Sequence, residues 1–149
     1  MTLIEKINAD LKTAMLARDE FTTTTLRGLK SAILYEEVAK NKRDEGLNDD
    51  EILTVITKQV KQRDDSIAIY VGAGDKERAD KETREREILT KYLPMPLTDE
   101  ELGEIVGKII ADGDFGVKDM GRVIGAVKSE VGARADGGRI AMMVKEALR

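Results

Sequence analysis

The sequence contains no histidine, no cysteine and no tryptophan. Without histidine and cysteine, the chain lacks the usual pairing of nucleophile and base, and it lacks the ligands that soft metals prefer. No disulfide can form, which fits a reducing compartment. We therefore expect no metal, no cofactor and no self-contained catalytic constellation, so that any enzymatic activity stays uncertain and binding is the first hypothesis.

Other features are missing as well. No apolar run approaches the roughly 20 residues that span a bilayer, and the first residues, MTLIE, do not resemble a signal peptide. Hairpin dipeptides flanked by alternating apolar residues, which would indicate strands, are also absent. We expect a cytoplasmic protein that contains no strand and does not enter a membrane.

What the sequence does contain is a long series of amphipathic helical patterns. Charged residues make up 36% of the chain, yet the formal net charge is only −4, so both signs alternate, as is typical of solvated helix faces. Apolar residues recur at helical spacing, for example Ile4, Ile7, Leu11 and Met15 in the first pattern. Three capping boxes mark helix starts, and single aspartates mark three more: Thr2–Glu5, Asn48–Glu51 and Thr98–Glu101, then Asp19, Asp75 and Asp136.

These patterns predict an all-α protein built from seven helices. Four helices precede Pro94 and Pro96, which forbid helix continuation, and three follow. We predict an N-terminal four-helix unit over residues 1–93, a short proline hinge, and a small three-helix C-terminal unit over 97–149. The sixth helix is expected over about 117–131. A unit of about 50 residues has a small core.

Acidic residues are plentiful but adjacent in sequence, and adjacent residues do not face each other on a helix. Their positions at helix starts or on polar faces indicate compensation of the helix dipole or simple solvation, not paired acid–base catalysis. The clusters are Asp49-Asp50-Glu51, Asp64-Asp65 and Asp99-Glu100-Glu101.

Gly121 and Gly125 lie four residues apart inside the sixth predicted helix, where each costs about 1 kcal/mol of helix stability relative to alanine. Two compensations are open: close packing on the fifth or seventh helix, or close approach of a ligand backbone.

Charge is divided unevenly within the C-terminal unit. Residues 97–116 carry six acidic residues and one basic residue, whereas residues 117–149 carry seven basic and four acidic residues. A locally basic end is typical either of a solvated surface or of a footprint for a phosphate backbone. Because aromatic stacking platforms are absent, any RNA contact is expected to be to the backbone and shape of a folded RNA.

Five short motifs, in this order and spacing, resemble the YqeY-type proteins, a group that shares a homologous region with the tail of the B subunit of the aspartyl/glutamyl-tRNA amidotransferase. The resemblance covers essentially the whole chain. The motifs are LRGLKSAI (26–33), KQRDDS (61–66), YLP (92–94), KDMGRV (118–123) and RADG (134–137).

The resemblance implies a two-part helical fold and a tRNA-related binding function, since the amidotransferase tail helps to position a mischarged tRNA. It also implies the label of a carbon–nitrogen ligase with glutamine as amido donor, although the catalytic parts of that complex lie outside the shared region. The basic positions of the tail fall on Arg122, Lys128, Arg134 and Arg139, the candidate RNA-binding residues. The chain departs from the usual pattern at Ala133 and Gly138, where the family often has glycine and lysine.

Two functional hypotheses follow. In the first, the chain binds tRNA through these four residues. In the second, it is a non-catalytic adaptor that docks on an amidotransferase or a synthetase.

Overall fold

A computed structural model describes residues 1–149 and shows an all-α fold with no strand, which confirms the predicted fold class. No helix in it is both long enough and apolar enough to pass through a bilayer. The seven helices are α1 (Leu3–Leu16), α2 (Glu20–Ala39), α3 (Asp49–Gly72), α4 (Lys76–Thr90), α5 (Asp99–Gly113), α6 (Met120–Val131) and α7 (Gly137–Ala147), and single 3-10 turns span Val117–Asp119 and Gly132–Arg134.

The helix starts follow the capping signals of the sequence. In all three capping boxes the backbone N–H of the glutamate donates to the N-cap side chain, and the glutamate accepts the N-cap N–H in return. Asp19, Asp75 and Asp136 each accept the backbone N–H of the residue three positions later. These bonds satisfy donors that a helix start would otherwise leave unpaired, and they confirm the predicted caps.

The sixth helix differs from its prediction at its start. The backbone N–H of Gly116 donates to the Asp119 carboxylate at 3.0 Å, and residues 117–119 form a separate 3-10 turn before α6 begins at Met120. At the other end, Gly132 closes α6 with a φ of 56°, a backbone conformation that favours glycine.

Two compact units divide the chain, residues 1–93 and residues 94–149. The first contains α1 to α4 around one apolar core, to which α2 and α3 contribute most of the buried side chains. The buried core residues are Ile7, Leu26, Leu29, Ile33, Leu47, Ile52, Val55, Ile56, Val60 and Leu89.

One predicted core residue lies outside this core. Met15 is 49% exposed, whereas its neighbour Ala14 is buried. Successive helical residues are rotated by about 100°, so the inward stripe that begins at Ile4 and Ile7 continues through Leu11 to position 14. The larger side chain at position 15 therefore points away from the core.

Helix α4 is held by polar contacts as well as by its thin apolar stripe, in which only Ala79 and Leu89 are buried. The Arg63 guanidinium of α3 lies 3.3 Å from the Glu85 carboxylate. Just beyond α4, the Tyr92 hydroxyl donates to the Asp10 carboxylate at 2.6 Å. These contacts tie α4 and its C-terminal extension to α3 and α1.

The second unit contains α5, α6 and α7 around its own core. The buried residues come from all three helices and from the segments that flank them: Leu97, Leu102, Val106, Val123, Val127, Val131, Ala135, Ile140, Val144 and Leu148.

Candidate nucleic-acid interface

Two of the four candidate RNA-binding residues make contacts within the second unit. The Arg139 Nη2 donates to the Leu97 carbonyl at 2.9 Å and to the Asp99 carboxylate at 2.7 Å. The Arg134 Nε donates to the Met95 carbonyl at 3.3 Å. Both guanidinium groups therefore hold the chain that leads into α5.

Arg134 is also connected through its backbone. Its carbonyl accepts the Leu97 N–H at 2.9 Å, and its Nη2 lies 4.0 Å from the Glu101 carboxylate. The Arg134 side chain is 47% exposed and that of Arg139 is 33% exposed, so each retains a surface that can meet solvent or a ligand.

Arg122 and Lys128 are placed differently. Both lie on α6, both are exposed, and neither takes part in any of the ion pairs of the structure, which elsewhere engage Arg134 and Arg139. A cation that is not neutralised by a neighbouring carboxylate keeps its full electrostatic attraction for a phosphate. Arg122 and Lys128 are thus the two candidate positions whose charge is free for an external anion.

The two glycines of α6 lie between these cations. With about 100° of rotation per residue, Gly121, Gly125 and Ser129 fall in the arc that separates Lys128 from Arg122. No heavy atom lies within 4 Å of the position that a β-carbon would take on either glycine. Packing against α5 or α7 therefore does not explain Gly121 and Gly125, and both positions face open space.

The Lys128 side chain reaches towards the start of α7. A β-carbon on Gly137 would lie 3.3 Å from Lys128 Cε and Nζ, and a β-carbon on Gly138 would lie 3.2 Å from the carboxylate of the N-cap residue Asp136. The lack of a side chain at Gly137 leaves room for the Lys128 side chain beside the start of α7.

Sequence reasoning did not select Lys118, which adds one more exposed cation. It precedes Arg122 by four residues, a spacing that would place both on one side of a regular helix. This spacing was the available signal, but residues 117–119 form a 3-10 turn instead of extending α6. A helical wheel over this segment is therefore only an approximate guide to the direction of Lys118.

The carboxylates with perturbed acidity all have structural explanations. The pKa of Glu101 is lowered chiefly by hydrogen bonds from the Thr98 backbone and side chain, and the pKa of Glu51 falls to about 2 through the Asn48 backbone N–H and Lys42. Hydrogen bonds from Thr22 likewise lower the pKa of Asp19. No three acidic side chains gather in the geometry of a metal site. The perturbed acids cap helices, as their sequence positions indicated.

A surface cavity of about 210 Å³ lies in the first unit beside the start of α2. Two of its polar groups already have partners, because Asp19 caps α2 and the Arg84 guanidinium stacks on the Phe21 ring at 4.0 Å. The cavity is thus lined by groups that stabilise the unit itself.

Comparison with known proteins identifies a family for this chain. The model of the family described as Yqey-like protein matches residues 4–148. "Altered inheritance of mitochondria protein 41, mitochondrial" of Kluyveromyces lactis is 35% identical over 111 residues, which cover 73% of this chain and 59% of the relative. The protein of the same name from Clavispora lusitaniae is 29% identical over 131 residues, 87% of this chain and 74% of the relative.

These relatives correct one expectation from the sequence. Cytoplasmic localisation is contradicted, because the curated relatives are named as mitochondrial proteins. The lack of cysteine could not make this distinction, because it is compatible with either compartment. The chain spans less than two thirds of the length of several of these relatives. The match to the family model, which extends over nearly every residue of both units, shows that this chain belongs to the YqeY-like family.

Proposed function

We propose that this protein is a tRNA-related binding module, and that the outer face of α6 contacts the phosphate backbone of a folded RNA. The observation that carries the proposal is the pair of unneutralised cations, Arg122 and Lys128, on either side of the bare backbone at Gly121 and Gly125. A backbone without β-carbons allows a sugar–phosphate chain to approach closely, and the flanking cations supply attraction.

The other two candidate residues have a supporting role in this proposal. Arg134 and Arg139 shape the second unit by binding the chain before α5. Their exposed fractions leave room for an additional phosphate contact, but their first contribution is to hold the chain that leads into α5. Family membership supports the same function, since the resemblance relates this chain to a tRNA-positioning region.

Filter retention of total tRNA across a salt series tests the proposal. Each lost phosphate contact lowers the slope of log affinity against log salt by about one. We expect Arg122→Ala and Lys128→Ala each to weaken binding in this way without changing the preference among tRNAs. Lys58→Ala, at an exposed lysine of α3 in the first unit, is the matched control and should leave the slope unchanged.

Two results would overturn the proposal. One is a wild-type affinity no better than that of an unrelated protein of similar net charge. The other is a loss for Lys58→Ala equal to that for Arg122→Ala, which would indicate attraction without a defined face.

The adaptor hypothesis is a second candidate, favoured by apolar side chains on the surface of the second unit. Met95 is 82% exposed, Met142 68% and Val117 64%. Purification of the tagged protein with its bound partners, with and without nuclease, separates the two functions. Partners bridged by RNA are lost on nuclease treatment, whereas an amidotransferase or synthetase bound directly is retained.

We assign no catalytic residue for the carbon–nitrogen ligase activity implied by the family resemblance. Incubation of mischarged tRNA, glutamine and ATP with the purified chain alone tests this assignment. Formation of amidated tRNA would contradict it.

A further inference from the structure

Helices α3 and α4 continue beyond the apolar core of the first unit. The last buried residue of α3 is Val60, although the helix extends to Gly72. On α4 the core begins at Ile88 and Leu89, and the helix has one other buried residue, Ala79, which lies outside the core. The two helices therefore run side by side for about three turns with little buried apolar surface.

The first two helices turn back where this extension begins. The connection between α1 and α2 runs through Asp19, and Asp19 and Phe21 line the same surface cavity as Arg84 of α4. The Arg84 guanidinium stacks on the Phe21 ring at 4.0 Å, and the other end of α1 is bonded to the first turn of α3. Helices α3 and α4 thus project past the turn between α1 and α2, and we call residues 65–83 of this projection the arm.

Contacts inside the arm are local and mostly polar. Asp75 caps α4, and its carboxylate lies 3.4 Å from the Arg78 guanidinium. The same guanidinium lies over the Tyr70 ring, 5.9 Å from its centre. Ile67 and Tyr70 are only half-buried, and Ile69 is exposed. Because apolar burial is the main source of stability, we expect the arm to be the least stable part of the first unit.

Two ion pairs join α3 and α4 at the base of the arm, one turn from the core. Arg63 Nε lies 3.3 Å from the Glu85 carboxylate, and both side chains are 18% exposed. Beside this pair, Arg86 donates to Asp64, and these side chains are 40% and 48% exposed. Breaking the more buried pair leaves a charge unpaired away from water, whereas an exposed pair contributes little. The Arg63–Glu85 pair is therefore the stronger contact at the base.

We propose that the arm opens as one unit while the core of α1 to α4 stays folded, and that the Arg63–Glu85 pair is the latch that limits this opening. Arg63 Nε donates no hydrogen bond, whereas Arg63 Nη1 donates to the Gln59 side chain at 3.0 Å. Arg63 therefore keeps a partner on its own helix when Glu85 moves away. The arm is the part of the first unit that changes shape at the lowest cost, and this proposal does not depend on RNA binding.

Native-state hydrogen exchange of the full chain, measured by mass spectrometry at low urea concentrations, tests the opening. Relative to their intrinsic rates, the arm amides should exchange at least about tenfold faster than those of residues 52–60. Their exchange should also depend less on urea, because a local opening exposes less surface than global unfolding does.

A substitution in the core distinguishes local opening from unfolding of the whole unit. Ile56 is fully buried, and Ile56→Val should speed the exchange of residues 52–60 by roughly three- to tenfold. The arm amides should be unaffected, because the core stays intact when the arm opens. An equal acceleration of the arm by Ile56→Val would show that the arm opens only when the whole unit unfolds, and would overturn the proposal.

Substitutions at the base of the arm test the latch. Glu85→Gln removes the charge and keeps a similar helix propensity, and it should speed the exchange of the arm at least about tenfold. Asp64→Asn breaks the exposed pair and should have a smaller effect. Glu87→Gln is the matched control, because Glu87 is exposed on the same helix and takes part in no ion pair. Equal effects of Glu85→Gln and Glu87→Gln on the arm would contradict the latch.

Discussion

Arg139 at the start of α7 donates to the Asp99 carboxylate at 2.7 Å, and the same Nη2 donates to the Leu97 carbonyl at 2.9 Å. The two contacts connect residues that are about 40 positions apart in the chain and fix the entry into α5. A residue that the sequence presents as a surface cation is thus part of the framework of the second unit.

Arg139→Ala should destabilise the protein more than Arg122→Ala. Hydrogen bonds that involve a charged group contribute about 1.5–3 kcal/mol each, and the partial exposure of this pair favours the lower part of that range. A surface substitution such as Arg122→Ala usually changes stability by less than about 0.5 kcal/mol. Urea unfolding followed by circular dichroism measures both changes, and equal midpoints for the two variants would contradict the framework role.

Glu51 should make the stability of the first unit dependent on acid pH. Its pKa is lowered to about 2, chiefly by the Asn48 backbone N–H and then by Lys42. Because the folded-state pKa lies below the unfolded value of about 4.5, the stabilisation is complete above pH 4.5 and is lost as the pH falls towards 2. Glutamine keeps the cap but not the charge, so the stability difference between wild type and Glu51→Gln should shrink across this range.

Urea unfolding at several pH values checks this expectation. Glu45→Gln, in the exposed loop before α3, serves as the control and should show no comparable trend. A difference between wild type and Glu51→Gln that stays constant from neutral pH to pH 2 would argue against the assignment.

Tyr92 should limit stability at alkaline pH. Burial, and then the hydrogen bond to Asp10, raise the pKa of its phenol above the usual value of 10. The unfolded phenol ionises near pH 10 and the folded one later, so the stabilisation is present below pH 10 and is lost as the pH rises through the folded pKa. Tyr92→Phe removes the contact and should cost about 1–3 kcal/mol at neutral pH.

Ultraviolet titration distinguishes Tyr92 from the other two tyrosines. In the wild type a phenol should ionise only above pH 10, and in Tyr92→Phe this late step should be missing. Persistence of the late step would show that another tyrosine is responsible.

Gly121→Ala and Gly125→Ala should each raise the stability of the protein and weaken its binding to RNA. Neither β-carbon meets another atom within 4 Å, so each substitution should stabilise α6, by up to about 1 kcal/mol. If a phosphate backbone approaches the bare helix, the same methyl groups should weaken tRNA retention. Ala126 is an exposed alanine already present in α6, so Ala126→Gly is the reverse control. This substitution should lower the stability of the protein without strengthening tRNA binding.

An increase in stability with unchanged tRNA retention would remove the glycines from the interface. The binding of tRNA would then depend on Arg122 and Lys128 alone.

Local signals in the sequence were sufficient for the helices. The capping boxes at Thr2, Asn48 and Thr98 are present as bonds, since a capping box involves only four consecutive residues and needs no distant partner. At Val117–Asp119 the structure has a 3-10 turn where the sequence predicted the start of the sixth helix. This difference also has a local cause, because the Asp119 carboxylate accepts a hydrogen bond from the backbone N–H of Gly116. Helical spacing did not reveal that turn.

The candidate site was only partly accessible to the same reasoning. Sequence and resemblance gave Arg122, Lys128, Arg134 and Arg139 as one group. The structure separates them, since Arg134 and Arg139 bind carbonyls about 40 residues earlier in the chain. A contact between residues so far apart has no signature in the local pattern of charge.

The sequence by itself determined the all-α class and the helix caps, because these depend on interactions within a few residues and on the helical repeat. Only the tertiary structure decided which cations remain free, that Gly121 and Gly125 face open space, and that α3 and α4 continue beyond the core of the first unit. Each of those facts depends on which distant segments lie beside a residue, and folding in three dimensions alone sets that.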